Sequence, residues 1–444
     1  MRTVVVAAAI LVALSTPAAA NGRYPATSNV LFRGDSTDDL YVAATWGLLV
    51  SHDGGATWRW TCEKAIGYDG KYDPSYTVTP NGTLFATVFD GLRYTKDFCT
   101  WSATSLGDRQ VSVVSTAPDG TLWIGVADLD EYRIHKSVDD GVTITPVSTP
   151  SLDPVDWWST IVQSASDPRR VYATGYRIVG GVKMIVAFRS DNGGTSWMPL
   201  PVTGFQVSSR SDLEIASVSP QDPSFLIARV TYRTDDDSGD DIYRSIDAGM
   251  TWTRIKEFPM DVAPGSVIRS YRGGGQARDS AEVLIGSKAS GTWRSTDGGK
   301  TFTAVTPALE VGCLKERPDG TLFACGDNGM PDLKAVASSS NATDWQEVLK
   351  FQNVTGPIQC SAGTVQKDYC QDELWCTTRS FHHIVANELD CPESGDGGIV
   401  PPPPPPPKGC GGCASDGAAG GAIGLVGVGL AFAARRRRRR ACCG

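Results

Sequence analysis

The chain has 444 residues, 41% of them hydrophobic, enough for one large domain or several small cores. Its formal charge is −8, but residues 1–20 and 408–444 hold eight of the 41 Lys+Arg and one of the 49 Asp+Glu, so the middle carries 33 basic against 48 acidic side chains, net −15. So acidic a middle excludes nucleic acid as a partner, because phosphate binding needs a concentrated basic face.

Glycine (48) and tryptophan (12) are plentiful and methionine (6) is scarce, the balance of a turn-rich β protein. At the start, Arg2 precedes the apolar run Val4 to Leu14 and then Ala18-Ala19-Ala20. A basic residue, a short apolar core and a small-residue stop make a secretory signal peptide over residues 1–20. The apolar run is too short for a membrane span, which needs about 20 residues.

From residue 21 to 352 the chain is a repeat, the feature to establish before any other. Ser51-His52-Asp53-Gly54-Gly55-Ala56-Thr57-Trp58 recurs as Ser245 to Trp252 around Asp247, and as Ser295 to Phe302 around Asp297. Ser137 to Ile144 repeats it around Asp139, and Ser190 to Trp197 places Asn192 at the Asp position. Degraded copies run from Thr95 to Trp101, around Asp97, and from Ser339 to Trp345. The starts at 51, 95, 137, 190, 245, 295 and 339 are separated by 44, 42, 53, 55, 50 and 44 residues. Turns such as Pro80-Asn81-Gly82, Pro118-Asp119-Gly120 and Pro318-Asp319-Gly320 alternate with strand-like runs such as Leu40 to Thr45 and Val171 to Tyr176. Each unit therefore supplies about four short antiparallel strands. Seven such units cannot bury a core singly and are expected to close radially into a seven-bladed β-propeller, an all-β fold.

In the box itself, the Asp carboxylate is placed to accept backbone N–H bonds, the Gly tolerates positive φ, and Ser and Thr hydroxyls tie down the ends. Asp53, Asp97, Asp139, Asn192, Asp247 and Asp297 are thus expected to be structural. The repeat resembles the Asp-box (bacterial neuraminidase) family, and the resemblance implies boxes at the outer rim, between the third and fourth strands of each blade. That family includes sialidases, xyloglucan-cleaving enzymes, sortilin-like ectodomains and photosystem II assembly factor-like proteins, so it specifies fold better than activity.

Candidate chemistry is sparse. A sialidase needs three arginines, a Tyr/Glu pair and an acid carboxylate; Phe32-Arg33-Gly34-Asp35 keeps only the Phe-Arg of the family's Phe-Arg-Ile-Pro. Asp235 to Asp241 lacks a glycine at the loop position that a calcium loop needs and a downstream glutamate at the right spacing, and reads as a solvated hairpin tip. Trp157 and Trp158 are the ligand candidates; as neighbours on a strand they point to opposite faces, so at most one stacks on a sugar. No cofactor and no metal site is expected.

Eight cysteines fall in the exported part, which favours disulfides. Cys62 and Cys99 follow consecutive boxes and are placed to bridge neighbouring blades, and Cys313 and Cys325 flank a turn they are placed to pin. Cys360, Cys370, Cys376 and Cys391 fit two bridges within a cap over residues 353–396. Pairing itself is not fixed by sequence.

A proline-rich linker (397–409) contains the unbroken run Pro401 to Pro407, a stiff spacer. Residues 410–444 then give Cys410-Gly-Gly-Cys413, an apolar stretch over 417–434 and the arginines 435–440. The arginines orient such a span with everything upstream outside. This order of parts resembles the myxobacterial C-terminal sorting signal, which implies processing at Cys410 or Cys413 and display at the cell surface or outer membrane, the inner membrane holding the precursor. Two features depart from it: the paired glycines between the cysteines, and Ala441-Cys442-Cys443-Gly444 after the arginines.

The sequence is therefore read as an exported, surface-anchored, monomeric propeller that binds a cell-surface protein or glycan without catalysis. A sialidase-like or xyloglucanase-like glycoside hydrolase is the alternative, and a structural envelope component the third reading.

Overall fold

The computed structural model describes residues 24–68, 73–128, 133–148, 150, 155–234, 237–269, 280–386, 389 and 391. Within them the expected all-β fold is observed: seven antiparallel blades, each built from one contiguous stretch of chain. Blade 1 is β1 (Thr27–Phe32), β2 (Leu40–Ala44), β3 (Gly47–Ser51) and β4 (Arg59–Thr61). Blade 2 is β5 (Tyr76–Val78), β6 (Leu84–Val88), β7 (Gly91–Thr95) and β8 (Ser102–Ala103). Blade 3 is β9 (Val111–Thr116), β10 (Leu122–Val126), β11 (Ile134–Ser137) and β12 (Thr145–Pro146). Blade 4 is β13 (Trp157–Gln163), β14 (Val171–Val179), β15 (Val182–Ser190) and β16 (Met198–Pro199). Blade 5 is β17 (Asp212–Val218), β18 (Leu226–Arg233), β19 (Ser238–Ser245) and β20 (Thr253–Pro259). Blade 6 is β21 (Gly265–Ile268), β22 (Val283–Ser287), β23 (Gly291–Ser295) and β24 (Thr303–Ala304). Blade 7 is β25 (Cys313–Glu316), β26 (Leu322–Cys325), β27 (Val336–Ser339) and β28 (Gln346–Leu349).

The first strands form the inner ring. Each lies beside the first strand of the next blade, from β1 and β5 through to β25 and β1. Strand alternation gives every blade two apolar faces, and each of the seven interfaces between blades holds its own buried cluster. Tyr41 and Leu48 meet Tyr76 and Leu84 between blades 1 and 2, and Tyr172 and Ala187 meet Leu213 and Leu226 between blades 4 and 5. Side-chain hydroxyls knit the inner strands: Thr77 to Thr116 at 2.9 Å, Ser115 to the Ile161 carbonyl at 2.6 Å, and Ser217 to Ser266 at 3.1 Å.

The repeated box is the turn between third and fourth strands. In blade 1, Asp53 accepts from Thr57 N–H at 2.8 Å and Thr57 hydroxyl at 2.6 Å, while Ser51 Oγ accepts from Gly55 N–H at 2.9 Å. Asp139, Asp247 and Asp297 repeat the pattern, and Asn192 Oδ1 accepts from Ser196 N–H at 2.8 Å. Asp97 takes Cys99 and Thr100 N–H, each at 2.9 Å. The turn demands a left-handed residue after the Asp position, with φ 72° at Gly54, 64° at Asp140 and 61° at Ala248.

Because every blade is self-contained, the last must be joined to the first by other means. After β28, strand β29 (Gly356–Pro357) pairs in parallel with β4 of blade 1. A π-helical segment (Gln366–Leu374) and helix α1 (Trp375–Phe381) follow. The cluster joining blades 7 and 1, with Val30, Leu49, Trp60, Phe323 and Val336, extends into this cap through Trp375 and Ile384.

The disulfides differ from the expected pattern. Cys62 pairs with Cys370 and Cys99 with Cys360, so neither bridges neighbouring blades and the cap holds one internal bond, Cys376–Cys391. The reason is topological: the ring returns the cap to blades 1 and 2. Cys313–Cys325 pins its hairpin, as expected.

Candidate functional site

Blades 4 and 5 are taller than the rest. Strands β14 and β15 have nine residues each and β18 and β19 eight, against five in the second and third strands of blades 1, 2 and 6. At about 3.3 Å per residue these two hairpins stand about 10–13 Å above their neighbours. They rise at the end of the ring opposite the box turns and overlook the mouth of the inner ring.

In their shelter Trp157 opposes Tyr176 across β13 and β14 and is half-buried. Lys183, on β15, places its ammonium 4.0 Å from the Tyr176 ring centroid and bonds the Asp212 carboxylate at the start of β17. Burial, with Asp212 and Asp156 nearby, pushes the Tyr176 phenol up to about 12. Asp156 itself accepts the Ile178 N–H at 2.6 Å, anchoring the base of the hairpin.

One step deeper, Glu214 follows Asp212 by two residues and shares its face of β17. Arg229 donates to Glu214 at 3.1 Å and to buried Asp240 at 2.8 Å. Across the ring, Lys315 projects from the inner strand of blade 7, flanked by buried Cys313 and Leu314. It keeps accessible surface but is enclosed by the surrounding blades, and this enclosure pulls its amine down while Glu214 acts in the opposite direction.

Of the two tryptophans singled out by sequence, Trp158 is 0% exposed, packed between blades 3 and 4 with Trp123 and Phe188. Only Trp157 has surface to offer. The acidic run 235–241 is a hairpin tip only in part: Asp240 and Asp241 lie inside β19, 0% and 1% exposed, held by Arg229 and by Arg254 at 3.3 Å, while Asp235 and Asp236 lie outside the described residues. Each box carboxylate or amide is taken up by its own turn.

Tyr176, Lys183, Asp212, Glu214 and Lys315 were not singled out by sequence reasoning. The widened box spacing of 53 and 55 residues marks the two tall blades that carry the first four, and no signal in the sequence marks Lys315, which lies in blade 7. Cys410, Cys413 and residues 1–20, 397–409 and 417–434, where a signal peptide, a linker and an apolar span were expected, lie outside the described residues.

A hydrolytic site needs an acid held protonated beside a second carboxylate. Among the described residues, burial raises the carboxyls of Asp241, Glu310 and Asp332. None of the three belongs to the mouth cluster, where Asp212 and Glu214 are each bonded to a cation. Among the described residues no His, Cys, Asp and Glu group is arranged to hold a metal ion, and no helix is long and apolar enough to cross a membrane.

A xyloglucanase from Paenibacillus sp is 28% identical over 194 residues, 37% of this chain and 18% of that protein. The crystal structure of an ancestral GH74 enzyme superposes with a TM-score of 0.51 at 14% identity, covering 73% of this chain and 46% of that one. YCF48 from Cyanidioschyzon merolae gives 0.43 at 13% identity, covering 69% and 94%. The chain thus spans less than half the length of the first two, and the likeness to the GH74 enzyme bears on fold alone. Residues 27–282 match the model of the DUF6242 beta propeller domain, and the chain belongs to that family.

Proposed function

We propose that this chain is an exported, surface-anchored propeller that binds a protein or glycan at the mouth between blades 4 and 5, without catalysis. The supporting observation is the composition of that mouth: a half-buried Trp157, a Tyr176 ring capped by Lys183, and carboxylates already engaged by Lys183 and Arg229. Such a surface offers a ring face and fixed polar groups, the elements of sugar or peptide recognition, but no free acid. The turn repeats are read as Asp-boxes. Residues 1–20 act as signal peptide, 353–396 as cap and 397–409 as stalk, and 410–444 act as a sorting signal processed at Cys410 or Cys413. The propeller works as a monomer.

The second reading is a xyloglucanase-like hydrolase, favoured by the sequence match to the Paenibacillus enzyme. It would rest on Asp212 and Glu214, two residues apart on one strand face and so about 6.6 Å apart along it, close to the separation used by inverting glycosidases. A glycan array run beside a reducing-sugar release assay separates the two. Retention without release supports binding, and release supports hydrolysis.

A further inference from the structure

Blade 4 stops short where blade 5 does not. Counted back from the turn serines Ser190 and Ser245, the third strands match position for position: Met184 with Gly239, Ile185 with Asp240, Val186 with Asp241. In blade 5 the outer strand follows β19 to its far end, pairing Asp241 with Glu257, Asp240 with Phe258 and Gly239 with Pro259, and Met260 N–H donates to the Ser238 carbonyl at 2.6 Å. In blade 4 the outer strand pairs only Phe188 with Pro199 and Arg189 with Met198. One more bond, Leu200 N–H to the Ala187 carbonyl at 2.8 Å, closes that ladder. Pro201 comes next, and without an N–H it cannot extend the strand.

The Ala187 carbonyl faces outward, so strand alternation places the N–H and C=O of Lys183 and Ile185 on the same outer edge. Among the described residues no strand pairs with that edge. The Lys183 side chain lies on Asp212 and the Tyr176 ring, on the opposite face of the strand from its two neighbours. The side chains beside the edge are instead Val182 and Met184, 49% and 50% exposed, with Val179 (53%) paired to Val182.

We propose that the outer edge of β15 docks an extended segment of a protein partner, which adds to blade 4 as the strand that blade 5 already carries. The partner's main chain bonds Lys183 and Ile185, and its alternate side chains are apolar, to lie on Val182, Met184 and Val179. Aliphatic side chains of this kind lack the ring face on which a sugar stacks, so the occupant is a peptide. The edge points away from the ring axis and is separate from the mouth at Trp157.

The test uses a fluorescein-labelled peptide with the sequence of residues 253–260 carrying Glu257→Val, so that Ile255, the new valine and Pro259 form an apolar alternate face, together with a copy N-methylated at alternate residues. Saturable anisotropy binding is expected for the first and none for the second. The affinity is expected to fall at least tenfold in a Val182→Glu, Met184→Glu double variant whose circular dichroism is unchanged. In the free protein the amides of Lys183 and Ile185 should exchange faster than those of Met184 and Val186, and the peptide should slow them. Equal protection of all four in the free protein overturns the proposal, as does absent binding or binding unaltered by the double variant.

Discussion

Cys62 and Cys370, 308 residues apart, are joined inside the core that blade 1 shares with the cap. With Cys99–Cys360, at a separation of 261, this bond makes the ring covalently closed around blades 3 to 7, doing by cross-link what the self-contained blades do not do by strand exchange. Closing so long a loop restricts the unfolded chain strongly, so a Cys62→Ser, Cys370→Ser variant should lose about 2–5 kcal/mol in urea unfolding. Loss of Cys313–Cys325, which closes a separation of 12, should cost less. Under graded reductant, alkylation mapping should find the half-buried Cys99–Cys360 opened before Cys62–Cys370, whose cysteines are 1% and 0% exposed.

The cap should also respond to acid through His382, whose ring stacks on Trp46 at 4.0 Å between centroids. Burial, then the neighbouring His383, lowers its pKa from 6.5 to about 4. Above pH 6.5 the ring is neutral whether folded or unfolded, and its packing is fully stabilising. Between 6.5 and about 4 the unfolded chain takes up a proton that the folded one refuses, so stability falls by up to about 1.4 kcal/mol per pH unit. Urea midpoints across this range should fall less steeply in His382→Phe than in the wild type. Equal slopes would remove His382 from the explanation.

The box aspartates should behave as turn locks. The Asp297 carboxyl is held below the usual carboxylate range by the Thr301 hydroxyl, then the Thr301 N–H and the Ser295 hydroxyl. Asp297→Ala should lower Tm by a few degrees and Asp297→Asn by less, since Asn192 keeps the same acceptor bonds in blade 4. Ligand binding should be unchanged in both.

Trp157 and Trp158 should separate cleanly. Trp158→Ala empties a buried site and should cost about 3–5 kcal/mol of stability. Trp157→Ala, at a half-buried position, should cost less stability than Trp158→Ala and weaken ligand retention. Calorimetry and binding on the same two variants check both.

Much of this fold was readable from the sequence, because box, turn and strand runs recur locally seven times. The box residues were readable too, since Asp53 and Thr57 find their partners within one turn. The Cys62–Cys370 pairing was not, because it depends on the ring bringing residue 370 back to blade 1. The mouth was readable only as Trp157: Tyr176, Lys183, Asp212 and Lys315 carry no local pattern and meet through blade order alone. The spacing of 53 and 55 residues indicated which blades were enlarged, without saying which side chains they shelter.

The central claim, binding at the mouth without hydrolysis, is tested most directly by incubating the purified chain with xyloglucan and a glycan array while following reducing ends. The expected result is retention of at least one ligand, weakened by Trp157→Ala, with no reducing ends released. Release that disappears in Asp212→Asn or Glu214→Gln would contradict it and make these two residues the catalytic pair.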